Sequence, residues 1–147
     1  MESETVAPAI EGVKSRRADL HTILIDLERA IAAAAPGRED SWTQGVRQAL
    51  ERLVTSFTEH VAATEAEDGL FNQVRRRAPR LAHHCKRLAD DHGRIASELA
   101  TATASLDTDV AGAREAVLSL LAHLARHRQL GADLIYEAYA VDLGGSD

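Results

Sequence analysis

Residues 117–141 read VLSLLAHLARHRQLGADLIYEAYAV and combine a helical pattern of apolar residues with histidine and carboxylate side chains. The apolar positions advance by threes and fours, which is the spacing of one helix face. They are Val117, Leu120, Leu124, Gly131, Leu134, Ala138 and Val141. His127 falls in a gap of this stripe and should face the core, with Asp133 following within two turns or Glu137 within three. Helical bundles build metal sites from such inward histidines and carboxylates; the alternative is a solvated His/Arg face.

The same spacing recurs in three other segments and predicts four long helices. They span roughly residues 10–35, 42–76, 79–104 and 110–142. Pro36 ends the first helix, Asp40 or Ser41 caps the second, and Pro79 opens the third. Gly69 weakens the prediction of an unbroken second helix. Short connections between long helices predict an all-α fold, an antiparallel up-down-up-down four-helix bundle that forms a single domain over residues 1–147.

The composition of the chain argues against several classes of function. The 147 residues carry a formal net charge of −6, which disfavours nucleic acid as a partner because phosphate binding needs a basic face. The single cysteine excludes an internal disulfide. We find no signal-like opening segment and no apolar run near the roughly 20 residues that span a bilayer. These features predict a cytoplasmic protein without a membrane partner.

The seven histidines are the unusual feature of the composition. His60, His92 and His127 each occupy a position in an apolar stripe, and His21 borders the stripe of the first helix. One core histidine is usually structural, but burying several imidazoles without partners costs about 1–3 kcal/mol for each unsatisfied group. A histidine on each of four helices therefore indicates a common partner, and a metal ion accepts imidazole nitrogen from several directions.

The order of these residues resembles the haemerythrin-like (HHE) domain family over nearly the whole chain. The most specific segments are His60-Val-Ala-Ala-Thr-Glu65 followed by Gly69-Leu70-Phe71, the pair Asp91-His92, and His127 with Asp133. The resemblance implies a non-haem di-iron centre inside the bundle, bridged by two carboxylates. By position it implies His21, His60, His92 and His127 as terminal ligands, with Glu65 and Asp133 as bridges.

Two departures from the family pattern leave the choice of carboxylates open. The family has His-x-x-x-Glu on the second helix, whereas the fourth position here is threonine. Glu65 then needs a π-bulge to turn inward, while Glu67 faces the stripe but lies further along the helix. Asp133 lies one residue later than the family spacing, so Glu137 is its alternative.

The histidines leave two further choices. A branch of the family carries Pro-Arg-Leu-Ala-His, which implies His83 as a ligand here, whereas helical phase favours His84. On the fourth helix, His123 forms an i, i+4 pair with His127, although the family pattern needs only His127.

The leading functional prediction is a di-iron protein that binds or reduces a small oxidant, namely dioxygen, nitric oxide or peroxide. One alternative is a metal-free helical interaction module with pH-sensitive histidines. Another is a mononuclear zinc or iron site built from His60, His92 and His127 alone. An oxo-bridged iron pair would colour the aerobically purified protein yellow to red, and the number of ions per chain separates one metal from two.

Overall fold

The computed structural model describes the backbone of residues 2–141 and the side chains of residue 12 and residues 15–140. Every regular element in this part of the chain is helical. The elements are α1 (Glu2–Ala32), α2 (Glu39–Glu65), α3 (Leu70–Arg77), a 3₁₀ turn (Pro79–Leu81), α4 (Ala82–Ser105), α5 (Val110–Ile135) and a π-helical segment (Tyr136–Val141). The four long helices α1, α2, α4 and α5 confirm the predicted all-α four-helix bundle.

The second helix is shorter than predicted, since α2 ends at Glu65 and α3 begins at Leu70. The intervening turn is closed by a hydrogen bond of 2.8 Å from the Gly69 amide to the Ala66 carbonyl. The side-chain amide of Gln73 caps the turn by donating to the Asp68 carbonyl at 2.8 Å. After this break, α3 packs against α2 and α4.

Gly69 is required at this turn because the preceding backbone approaches it closely. A Cβ at this position would overlap the Ala63 carbonyl oxygen and lie 2.9 Å from that of Thr64. We expect Gly69→Ala to lower the free energy of unfolding by about 1–3 kcal/mol, the usual cost of overpacking. Urea unfolding measures this, with Gly45→Ala in α2 as the control, because nothing lies within 4 Å of a Cβ there. Equal stability of Gly69→Ala and the wild type would contradict the close approach.

The predicted capping of α2 by Asp40 or Ser41 is wrong. The helix begins three residues earlier than predicted, at Glu39 after Arg38, and no side chain caps it. Glu39 and Asp40 lie in the first turn instead, where their negative charges favour the positive end of the helix dipole. The polar 105–109 connection does provide a cap, because Asp109 accepts a hydrogen bond from the Gly112 amide at the start of α5.

The buried apolar side chains form two clusters along the bundle. The larger one joins α1, α2, α4 and α5 and includes Leu27, Leu50, Leu53, Ile95 and Leu120. The smaller one joins α3 to the start of α4 and the end of α5 and includes Phe71, Val74, Leu81, Cys85 and Leu134. Along each of α4 and α5, a buried histidine stands between residues of the two clusters: His92 between Leu88 and Ile95, and His127 between Leu124 and Leu134. Within residues 2–141, no helix is both long and apolar enough to cross a membrane.

Candidate metal centre

Three imidazoles from three helices meet inside the bundle: His60 on α2, His92 on α4 and His127 on α5. One ring nitrogen from each lies within 4.8 Å of the other two, and the ring centroids are 4.9 to 5.7 Å apart. His92 is 3% exposed and His127 is 7% exposed. Among the described residues, these three form the one group of three or more histidine, cysteine or carboxylate side chains close enough to hold a metal ion. We call this group the histidine cluster.

Two carboxylates orient the rings of the histidine cluster. His92 Nδ1 donates to Glu65 Oε2 at 2.6 Å, and His127 Nδ1 donates to Asp91 Oδ2 at 2.8 Å. Because an ionised carboxylate only accepts hydrogen bonds, each Nδ1 carries a hydrogen, and Nε2 is the ring nitrogen left to bind a metal. Histidines that bind metals are commonly held by such a carboxylate on the nitrogen opposite the metal.

Two nitrogen atoms of the cluster, Nε2 of His60 and Nε2 of His92, are buried and have no hydrogen-bond partner among the described residues. Leaving a buried polar atom unsatisfied costs about 1–3 kcal/mol. A bound cation would remove that cost at both atoms. Imidazole nitrogen is a good ligand for zinc, copper, iron and nickel, so the residues present fit a transition-metal ion.

Two phenylalanines enclose the histidine cluster. Phe57 stacks on His60 and meets the edge of the His92 ring, with centroid distances of 6.1 and 5.7 Å. Phe71 stacks on the His92 ring at 5.7 Å. These apolar walls lower the local polarity around the rings and so strengthen electrostatic interactions within the cluster.

The electrostatics of the site keep two of the imidazoles neutral. Burial lowers the pKa of His60 to about 3, and the neighbouring His92 and His127 rings and the Arg16 charge act in the same direction. Burial also lowers the pKa of His127, although its hydrogen bond to Asp91 opposes this shift. Neutral imidazoles have the free lone pairs that a metal ion needs.

The lowered pKa of His60 makes the stability of the metal-free protein depend on pH. Because this pKa is about 3 in the folded chain, against an ordinary value of 6.5 for histidine, the unfolded chain takes up the proton first as the pH falls. The contribution of His60 is present above pH 6.5 and is lost between pH 6.5 and 3. The loss amounts to up to about 1.4 kcal/mol per pH unit.

We expect the free energy of unfolding of His60→Gln to fall less steeply with decreasing pH than that of the wild type, because the contribution of His60 is gone. Urea unfolding of both proteins in chelator between pH 7 and pH 4 measures the difference. An unchanged slope in His60→Gln would contradict the burial of a neutral ring.

Three of the predicted ligands lie outside the histidine cluster. His21 is exposed on α1, where Arg128 Nη1 donates to its Nδ1 at 3.2 Å. His83 is exposed beside His84, with ring centroids 6.4 Å apart. Asp133 is exposed and accepts a hydrogen bond of 2.9 Å from Gln129. The structure therefore does not bring these predicted ligands together with the other three histidines.

Helical phase explains these positions. On α1 the buried face is formed by Leu24, Leu27 and Ile31, which leaves His21 on the solvent side. On α5 the buried residue is Leu134, so the preceding Asp133 points outward. The π-helical geometry that could shift this register begins only at residue 136.

Glu65 reaches the cluster in a different role from the predicted bridge. The expected π-bulge is absent from α2, which is a regular α-helix through Glu65. The carboxylate consequently lies at the outer nitrogen of His92 instead of among the three imidazoles. Neither alternative carboxylate joins the cluster, because Glu67 is exposed and Glu137 lies 3.6 Å from Arg80 in an ion pair.

Asp91 makes the contact that sequence reasoning misses. The sequence singles it out only within the Asp91-His92 pair and gives it no role, although it holds the ring of His127 on the neighbouring helix. His123, an alternative ligand in the sequence, donates from Nε2 to the other oxygen of Asp91 at 2.7 Å. The i, i+4 spacing of His123 and His127 is the signal that both could reach one group.

Two openings lead to the histidine cluster. An apolar cavity of about 60 Å³ lies beside His60 and His127 and is bordered by Phe57, Leu124 and Leu134. A groove of about 670 Å³ runs between α4 and α5 and reaches Asp91, His123 and His127. His127 lines both, so the two spaces meet the cluster at this residue.

Comparisons with protein-family models, with curated proteins and with solved structures find no match to this chain. The resemblance to haemerythrin-like domains therefore stays a prediction from the sequence. The geometry alone defines the class of site: three histidines that meet inside a helical bundle.

Proposed function

We propose that this bundle binds one transition-metal ion through His60, His92 and His127. The observation that carries the proposal is the pair of buried, unpartnered Nε2 atoms on His60 and His92, in a cluster whose ring nitrogens lie within 4.8 Å of one another. Three protein ligands leave a coordination position for a further molecule, as in catalytic zinc sites.

The surrounding carboxylates favour one ion over two. Glu65 and Asp91 are both engaged at the outer nitrogens of histidines, at 2.6 and 2.8 Å. A bridged pair of irons, as the haemerythrin-like resemblance implies, needs carboxylates such as Glu65 and Asp133 between the two metals. Asp133 is exposed on the outer face of α5. The one-ion alternative needs no such rearrangement.

The small apolar cavity favours a small molecule as the partner of the site. A volume of about 60 Å³ beside His60 and His127 has room for a molecule of two or three heavy atoms. An iron ion at the cluster would supply the electrons that dioxygen, nitric oxide or peroxide accepts. The chain itself would exclude water with Phe57 and Phe71 and hold the imidazoles in the tautomer that presents Nε2.

The proposal includes an antiparallel up-down-up-down order for the four long helices. Arg114, near the start of α5, donates to the Ile31 carbonyl near the end of α1 at 2.9 Å. Arg47, near the start of α2, donates to Asp107 just after α4 at 3.0 Å. Both contacts join the beginning of one helix to the end of another, which supports opposite directions for each pair.

Metal analysis of the untagged protein tests the proposal, because a His tag would itself bind metal. The protein is stripped with chelator, reconstituted separately with iron, zinc and cobalt, and desalted. We expect about one ion per chain in the wild type and none in His92→Ala, with His83→Ala as the control that keeps the ion. Two irons per chain would support the di-iron prediction instead. No bound ion under any condition would exclude a metal function.

A further inference from the structure

The hydrogen bonds around the histidine cluster continue outward beyond the carboxylates. Asp91 accepts from His127 Nδ1 at one oxygen, at 2.8 Å, and from His123 Nε2 at the other, at 2.7 Å. The second nitrogen of His123 lies 2.9 Å from Glu98 Oε1. We call Asp91, His123 and Glu98 the outer chain. It links the buried His127 to the groove between α4 and α5.

His123 is charged in this arrangement. Both of its ring nitrogens face carboxylate oxygens, and because carboxylates only accept, both nitrogens must carry hydrogen. Burial by itself would lower the pKa of His123, but the hydrogen bonds to Asp91 and Glu98 more than offset it, so its pKa is raised. The ring is therefore a fixed double donor between two helices rather than a ligand with a free lone pair.

Asp91 depends on this donor for its orientation. Among the described residues, the other charged contact of Asp91 besides His123 and His127 is Arg94 at 3.3 Å, and the Arg94 side chain is 68% exposed. A long exposed arginine is a weak anchor, because ion pairs at the surface contribute little and are screened by salt. Without His123, the Asp91 carboxylate would be free to turn toward the groove and away from the His127 ring.

We propose that His123 is a positioning residue for the metal site: it holds Asp91, and Asp91 fixes the ring of His127 so that Nε2 faces the cluster. This inference rests on the metal binding proposed above. It assigns His123 a place outside the ligand set and explains why two histidines one turn apart on α5 have different roles. Changes in groups that orient metal ligands typically lower metal affinity about 10–100-fold.

A double-mutant cycle on cobalt binding tests the order of this chain. We expect Asp91→Ala to weaken Co²⁺ binding by about 10–100-fold and His123→Ala by about tenfold. Because His123 acts only through Asp91, the double variant should bind no more weakly than Asp91→Ala alone. His84→Ala, which removes an exposed histidine from the same groove, is the matched control and should bind like the wild type. Additive losses, or unchanged affinity in His123→Ala, would overturn the inference.

A second measurement uses the metal-free protein and separates this inference from the proposed function. Histidine-resolved ¹H–¹⁵N NMR should show hydrogen on His127 Nδ1 in the wild type. In His123→Ala that hydrogen should exchange with water at least about tenfold faster, because the Asp91 carboxylate that accepts it is no longer held in place. An unchanged tautomer and exchange rate would overturn the positioning role. Failure of the wild type to bind Co²⁺ would instead overturn the proposed function and leave the NMR result to decide the contact. If His123→Ala does not fold by circular dichroism, His123→Gln replaces it in both experiments.

Discussion

Saturating Zn²⁺ or Co²⁺ should raise the melting temperature of the metal-free protein by about 10 °C. A ligand at about 1,000 times its dissociation constant adds about 4 kcal/mol to the free energy of unfolding when it binds only the folded state. For a domain of this size, each kcal/mol corresponds to about 2–4 °C. The physical source is the satisfaction of the buried Nε2 atoms of His60 and His92, which find no hydrogen-bond partner in the part of the chain that the structure describes.

Variants in the cluster and outside it separate this effect from non-specific metal binding. His92→Leu removes a nearly fully buried proposed ligand and should abolish the shift of the melting temperature. The two remaining imidazoles would hold the ion too weakly against competition by water. His21→Ala and His83→Ala remove exposed histidines that the structure places away from the cluster, and both should keep the shift. A shift that survives in His92→Leu, or disappears in His21→Ala, would place the metal elsewhere. Differential scanning calorimetry, with chelator added back, makes the comparison.

The second large effect is on His60→Leu, whose stability relative to the wild type should change sign between metal-free and metal-loaded protein. We expect His60→Leu to unfold at a higher urea concentration than the wild type when both are metal-free, with a gain of about 1–3 kcal/mol. The reason is that Leu removes a buried nitrogen without a partner and packs against Phe57 and the apolar cavity. In saturating metal the order should reverse, since only the wild type gains the binding free energy.

His123→Leu is the matched control for that experiment. His123 is also a partly buried histidine, but both of its nitrogens are engaged, with Asp91 at 2.7 Å and Glu98 at 2.9 Å. Its removal leaves two carboxylates without their donor, so this variant should be less stable than the wild type without metal. Destabilisation of metal-free His60→Leu to the same extent as His123→Leu would show that the cluster is a structural core and not a site formed for a ligand.

The inward positions of the site follow from the periodicity of the sequence. His60, His92 and His127 each replace an apolar residue in a stripe of threes and fours, and the structure places all three between the helices. This part can be read from a sequence because a helix determines which of its own residues share a face. His21 shows the limit, because it borders its stripe and a small rotation of α1 decides whether it faces the core.

Contacts between residues of different helices cannot be predicted from the sequence in the same way. The pairing of Asp91 with His123 and His127 depends on the rotation and relative height of α4 and α5, and an error of one turn changes every partner. Glu65 is placed by the height of α4 beside α2, which brings His92 Nδ1 to its carboxylate. The break before α3 likewise depends on the backbone approach around Gly69, which no periodicity reveals.

X-ray absorption of the cobalt-loaded, untagged protein is the most direct test of a single ion held by three histidines. We expect scattering from three imidazole rings around each cobalt, with no second cobalt nearby, and loss of that pattern in His127→Ala. A shell dominated by carboxylate oxygen, or scattering from a neighbouring metal, would contradict the three-histidine site and favour the bridged pair.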